Sequence, residues 1–257
     1  MGAGAPAGVA HDGTRTVRSA GMTGTIDLAQ RVHCRWTDAS AGDLGYGPGD
    51  SAGTGALPGV AGLDPALVGG SRPAWLGQVH GAGTVVVPTG ASGARGEGDA
   101  LVAGPPVPDR PVPCLCVLTA DCASIALAGD DGSYAAVHAG WRGLLAGVVD
   151  AAADRLRSGG AQRIVGALGP CIHAECYEFS PVDLDRLAGA FGDGVRARTA
   201  GGRPALDLPA AVAVSLARAG ISQVGGVDAC TACQGRYFSH RARGDVARQA
   251  LLVWGGP

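Results

Sequence analysis

The 257-residue chain contains no lysine and no asparagine, so all 20 of its basic residues are arginines. Together with 45 glycines and abundant alanine this is the residue usage of a GC-rich genome, and the Ala/Gly richness carries no functional weight. Charge is sparse: charged residues make up 16% of the chain and the formal net charge is −2, which excludes a broad basic face for nucleic acid and a disordered, self-repelling composition. No apolar run approaches the roughly 20 residues that a membrane-spanning helix needs. The first 25 residues lack the apolar centre of a signal peptide. The expectation is a cytoplasmic protein with a disordered segment over residues 1–25, in which Met22 offers a second start, followed by one domain over residues 26–257.

Histidine is scarce too. A multicopper oxidase needs about ten histidines, many as His-x-His pairs, to hold its coppers. This chain has six and no such pair, which argues against a laccase. Its eight cysteines, in a chain of this size and expected compartment, are expected to be reduced. Cys230 and Cys233 form one Cys-x-x-Cys, with no second pair and no His-x-x-x-His to complete a closed zinc site, so the pair reads as structural or incidental.

What is present begins with 46% hydrophobic residues in a chain long enough to bury roughly 70 to 75% of its unfolded surface. Short apolar runs bounded by turn residues predict strands at Val32 to Trp36, Ala74 to Val79, Thr84 to Val87, Ala100 to Ala103, Val112 to Thr119, Ser124 to Ala128, Tyr134 to His138, Arg163 to Leu168 and Ala250 to Trp254. Helical spacing of Leu144, Leu145, Val148, Val149, Ala152 and Leu156 predicts a helix stopped by Gly159 and Gly160. Two more helices are predicted after Ser180 with Pro181 in the first turn, and from Asp207 to the glycine at 220. Strands that cluster early and do not alternate with helices predict an α+β fold, with mixed sheet covered by helices in a single domain.

The stretch LTADCASIALAGDDGSYAAVHAGWRG, residues 118 to 143, places Cys122 and His138 each at the end of an apolar strand and beside a small-residue turn. The segment WLGQVHG ends in the same way on His80. Two imidazoles and one thiolate make a borderline-soft ligand set that suits Zn²⁺, and three protein ligands leave a fourth position open, as catalytic zinc requires. The separations form no local metal motif.

Read together, WLGQVHG, GDALV, VLTADC, AVHAGWRG, LGPCI with CYEF, CT and YFSHR resemble, in order and approximate spacing, the laccase-domain family, also known as polyphenol oxidase-like proteins, peptidoglycan editing factors and zinc-dependent purine nucleoside phosphorylases. The resemblance runs from about Trp75 to Trp254. It implies a layered α/β/β/α sandwich and a zinc held by His80, Cys122 and His138. The implied activities are phosphorolysis of adenosine, inosine, guanosine and methylthioadenosine, and deamination of adenosine. Two blocks depart from the family pattern: TDASAGDLGYGPGD over residues 37 to 50, and Arg241-Ala242-Arg243 where consecutive arginines are common.

Phosphorolysis requires an anion subsite. Arg142, expected at a helix N-terminus within HAGWRG, and Arg241 are the candidates. Deamination requires a carboxylate to carry protons, for which Asp99 and Glu178 are preferred over Asp121, with Glu178 slightly ahead. Two other functions fit the same residues. One is a Cys122–His138 amidase or hydrolase without metal. The other is a non-catalytic factor that partners cell-wall synthesis enzymes in peptidoglycan precursor editing.

Overall fold

Strand residues alternate between two faces, and in this chain the alternation sorts the apolar side chains into three layers of core. The computed structural model describes residues 25–29, 31–45 and 58–256, so the expected loose segment over residues 1–25 lies, apart from Thr25, outside the described residues. One six-stranded sheet runs in the order β1 (Ile26–Ala29), β2 (Val32–Trp36), β14 (Gln249–Gly255), β7 (Cys114–Thr119), β3 (Pro73–Gly77) and β5 (Gly93–Glu97). The other runs β13 (Ile221–Gly226), β10 (Ile164–Leu168), β8 (Ala123–Gly129), β9 (Tyr134–Ala139), β6 (Ala100–Ala103) and β4 (Thr84–Val86). Both are mixed: β3 runs parallel to β5 and β7, β4 to β6, and β10 to β13, while the remaining pairs are antiparallel. A small ribbon pairs β11 (Arg196–Arg198) with β12 (Pro204–Leu206).

Along β7, Leu115 and Val117 face the second sheet, while Cys114, Cys116 and Leu118 face outward. Along β14, Leu251 and Val253 face inward and Ala250, Leu252 and Trp254 outward. The outer face of this first sheet is covered by Val60 of the short α1 (Pro58–Ala61), by Leu63 and by Val68. The second sheet sends Leu101, Ala126, Ala136 and Tyr134 to the inter-sheet layer, and Ile125, Leu127, Ala135 and Val137 to the opposite face. There they meet α2 (Trp141–Leu145), α3 (Val148–Gly159), α4 (Pro181–Phe191) and α5 (Leu208–Arg218). This is the expected α+β architecture of helix, sheet, sheet and helix layers. Truncating an inter-sheet residue such as fully buried Leu251 to Ala costs about 2–5 kcal/mol.

Two predicted helix starts coincide with those observed: Ser180 accepts from the backbone N–H of Asp183 and Asp207 from that of Ala210, each with a proline in the first turn. The helix expected through Leu144 and Leu156 is instead two, because Gly147 adopts φ 83° and breaks the ladder between α2 and α3. A four-residue α6 (His240–Arg243) and the strands β1, β5, β11, β12 and β13 were not foreseen. Among the described residues no helix is long and apolar enough to cross a membrane.

Candidate metal and substrate site

The loops leaving β3, β7 and β9 converge at one end of the sandwich. After β3 the chain diverges from β7, and the Gln78 amide replaces the lost ladder: its Nε2 donates to the Leu118 carbonyl at 2.8 Å and its Oε1 accepts from the Leu118 N–H at 2.7 Å. Two residues on, His80 takes a left-handed φ of 59°. Asp121, after β7, also has positive φ, 97°, and its carboxylate is fixed at 2.6 Å by both Thr231 Oγ1 and the backbone N–H of Arg241. Such a non-glycine conformation persists only where its surroundings over-determine it. His138 lies near the end of β9, on the same strand face as the inter-sheet residues Tyr134 and Ala136.

This geometry brings the three expected ligands together. One ligand atom each from His80, Cys122 and His138 lies within 4.8 Å of the others, with His80 exposed, Cys122 half-buried and His138 buried. Cys122 Sγ is 3.9 Å from His80 Nε2, and the two imidazole rings meet edge-on at 4.8 Å. His138 Nδ1 lies 2.8 Å from Asp99 Oδ1, which leaves Nε2 for a metal. The fully buried Asp99 also accepts from the backbone N–H groups of His80 at 2.9 Å and Gly81 at 2.6 Å. A buried carboxylate is costly unless hydrogen-bonded, and Asp99 resolves that cost by tying the His80 and His138 segments together.

The charges are mutually supporting. Burial alone would raise the Cys122 thiol, but His138, with help from His80, brings it down to about 6. Burial alone would lower His138, but the Cys122 thiolate and Asp99 push it up to about 9. Asp99 is held below its ordinary value: its burial is outweighed by His138 and the two backbone donors. These opposite shifts favour a thiolate beside an imidazolium, and a metal bound here would take the place of the proton on His138. Gly140 sits against this cluster, since a Cβ there would lie 3.1 Å from both Cys122 Sγ and His80 Cδ2.

Beside the ligands stands an aromatic wall that sequence reasoning missed, although its residues lie in the blocks HAGWRG and CYEF. Trp141 meets Phe179 edge-on at 5.4 Å, and Phe179 meets Tyr177 at 5.2 Å. An arginine covers each end: Arg142 lies 4.4 Å over Trp141, and Arg241 lies 4.9 Å over Tyr177. Burial raises the Tyr177 phenol first, the Cys122 charge raises it further, and Arg241 and Arg142 pull it back, so these groups share one electrostatic neighbourhood. Arg241 Nη1 also donates to the Glu178 carbonyl at 2.7 Å. Arg142 is in a helix as expected, but that helix has only five residues and no side-chain cap, so it offers its guanidinium rather than a long helix dipole.

The two favoured carboxylates separate. Asp99 is inside, against His138, whereas Glu178 alternates with the buried Tyr177 and Phe179, is 44% exposed, and pairs with Arg203 at 2.9 Å. The expected order, Glu178 ahead of Asp99, therefore runs against their placement. A separate cavity of about 840 Å³, with Arg72, Val112, Asp131 and Gly255 among its lining, opens at the opposite end of β7, and among the described residues its lining contains neither histidine nor cysteine.

A mixed two-sheet sandwich with an open His-Cys-His site at its strand ends defines the class of protein. The chain belongs to the family described as multi-copper polyphenol oxidoreductase laccase, whose model matches residues 63–255. It is 35% identical to "Purine nucleoside phosphorylase ORF3" of Streptomyces griseus, over 92% of this chain and 97% of the relative. It is 30% identical to "Purine nucleoside phosphorylase YfiH" of Escherichia coli, over 72% and 74% respectively. The crystal structure of a Neisseria meningitidis protein of the DUF152 family aligns with a TM-score of 0.68 at 25% identity, covering 92% of this chain and all of that one. The copper in the family description finds little support in the ligands. Among the described residues the only other cluster that could hold a metal ion is Glu175, Cys176, Cys230 and Cys233, which contains no histidine.

Proposed function

We propose that this chain is a zinc-dependent purine nucleoside phosphorylase acting at His80, Cys122 and His138. The observation that carries the reading is the open three-ligand cluster beside an aromatic wall with an arginine at each end. Its ligands suit zinc: two imidazole nitrogens and one thiolate, the deeper histidine oriented through its second nitrogen by a buried carboxylate. When bound, zinc supplies Lewis-acid stabilisation of developing negative charge.

The protein's own groups divide the remaining work. Trp141, Phe179 and Tyr177 offer the apolar surface that a purine base requires. Arg142, whose guanidinium makes no hydrogen bond or ion pair among the described residues, and Arg241 offer the forked donors that a phosphate dianion takes up. In phosphorolysis a phosphate oxygen bonds to C1′ as the N-glycosidic bond breaks; the purine leaves with the electron pair and gains a proton. Asp99 is a positioning residue that acts through His138. The substrates are adenosine, inosine, guanosine and methylthioadenosine, with adenosine deamination as a second reaction at the same site. The reduced cysteines suit a cytoplasmic setting. Chromatography of adenosine incubated with and without phosphate tests this: adenine formed only with phosphate reports phosphorolysis, and inosine reports deamination. Failure to form either by the zinc-loaded protein would overturn the reading.

One observation favours a second reading. Cys122, His138 and Asp99 also form the nucleophile, base and orienting carboxylate of a metal-free cysteine hydrolase. Iodoacetamide separates the two, because a zinc-held Cys122 is alkylated only after chelation, whereas a free nucleophile is alkylated without it.

A further inference from the structure

The fold assembles a second set of soft ligands from segments that no sequence motif connects. Cys176 ends a 3-10 turn that begins at Ala174, and Cys230 and Cys233 lie in the loop between β13 and α6. Their thiols and the carboxylate of Glu175 lie within 4.8 Å of one another. Cys176 Sγ is 3.1 Å from Cys233 Sγ, and Cys233 Sγ is 3.4 Å from Glu175 Oε1. We propose that Glu175, Cys176, Cys230 and Cys233 form a second, structural zinc site. It is independent of the chemistry assigned to the first.

The geometry and the ligand types agree. A tetrahedral zinc with Zn–S bonds of about 2.3 Å holds its sulfurs about 3.8 Å apart, so small side-chain adjustments admit the ion. Three thiolates and a carboxylate fill all four positions, the mark of a structural rather than a catalytic zinc. The His173 backbone N–H donates to Cys230 Sγ at 3.4 Å, the kind of outer-shell bond that steadies a metal-bound thiolate. A Cys176–Cys233 disulfide would use two of the four groups and leave Cys230 and Glu175 without a role.

The position gives the metal a purpose. Cys176 immediately precedes Tyr177 of the aromatic wall, and Cys230 immediately precedes Thr231, whose hydroxyl fixes Asp121 beside Cys122. Arg243 donates from Nη2 to the Thr231 carbonyl at 3.3 Å and from Nη1 to that of Ala232 at 3.1 Å, tying α6 to the same loop. A zinc here would pin the two substrate-facing segments to each other.

The test compares zinc content of the full chain and its Cys122→Ser, Cys233→Ser and Glu175→Gln variants, purified reduced and free of oxygen. Cobalt exchange then reads the thiolate charge-transfer band. The expected result is about two equivalents of zinc in the parent and about one in Cys122→Ser, which keeps an intense three-thiolate cobalt band. Cys233→Ser should hold about one equivalent, lose most of that band and melt at a lower temperature. Should Cys233→Ser fail to fold, the exposed Glu175→Gln serves: it should surrender one zinc to a chelator about 10- to 100-fold more readily than the parent. A single zinc in the parent that Cys122→Ser abolishes, unchanged zinc content in Cys233→Ser, or a persistent Cys176–Cys233 disulfide in the reduced protein would each overturn the site. None of these readouts depends on nucleoside turnover.

Discussion

The two clusters of potential metal ligands differ in what surrounds them: Cys176 of one directly precedes Tyr177 of the aromatic wall, while Asp99 stands against His138 of the other. His80, Cys122 and His138 would supply three ligands, one exposed, with the buried Asp99 against His138 and an aromatic wall with two arginines beside them. Glu175, Cys176, Cys230 and Cys233 would supply four. The contrast teaches that ligand identity alone does not distinguish a catalytic from a structural centre. What would separate them is three protein ligands against four, the carboxylate that orients a histidine, and the groups arranged where a substrate would stand.

The sharpest way to break this comparison is His138→Ala. It should remove the metal of the open cluster and lower phosphorolysis by more than about a hundredfold, beyond what an outer-shell change costs, while zinc at the four-ligand cluster is unchanged. Metal analysis alongside rates reads both; equal loss from the two clusters would show that they are one cooperative unit.

Asp99→Asn tests the histidine-orienting carboxylate, which has no counterpart among the four ligand groups of the other cluster. An amide has one accepting oxygen, so it cannot serve both the His80 N–H on Oδ1 and the Gly81 N–H on Oδ2, and it holds the His138 proton less firmly; zinc affinity at the open cluster should therefore fall about 10- to 100-fold. Chelator competition measures it, and unaltered affinity would assign Asp99 to the fold alone.

Arg142→Ala addresses the substrate side. Losing a charge-assisted phosphate contact worth roughly 1.5–3 kcal/mol should raise KM for phosphate about 10- to 100-fold, with KM for nucleoside changing far less. Parallel changes in both constants would place Arg142 under the base rather than the phosphate.

The smallest effect belongs to Glu178→Gln. Its carboxylate sits in an exposed pair with Arg203, so stability should shift by about 0–1 kcal/mol and inosine formation should stay near the parent rate. A drop of about 10² or more in inosine formation, with zinc retained, would restore Glu178 as the proton carrier.

Much of this was legible because the informative residues sit where local rules are strong. Buried strands such as β7 and β9 are continuous apolar runs ending in small-residue turns, so Cys122 and His138 could be placed at strand ends before any geometry was known. The caps of α4 and α5 were equally local. The missed strands lack those signals: β5 reads Gly-Ala-Arg-Gly-Glu, and β13 is exposed beyond Ile221. Long-range pairing was out of reach. Nothing in sequence joins Cys176 to the Cys-x-x-Cys pair, and the role of Asp99 depends on a 2.8 Å contact across 39 residues.

The central claim is tested most directly by phosphate-dependent release of adenine from adenosine, measured for the parent and for Cys122→Ser with the zinc content of each determined. The account predicts adenine from the parent only when phosphate is present, and none above background from Cys122→Ser, which has lost the zinc of the open cluster. Undiminished phosphate-dependent release by Cys122→Ser would contradict it.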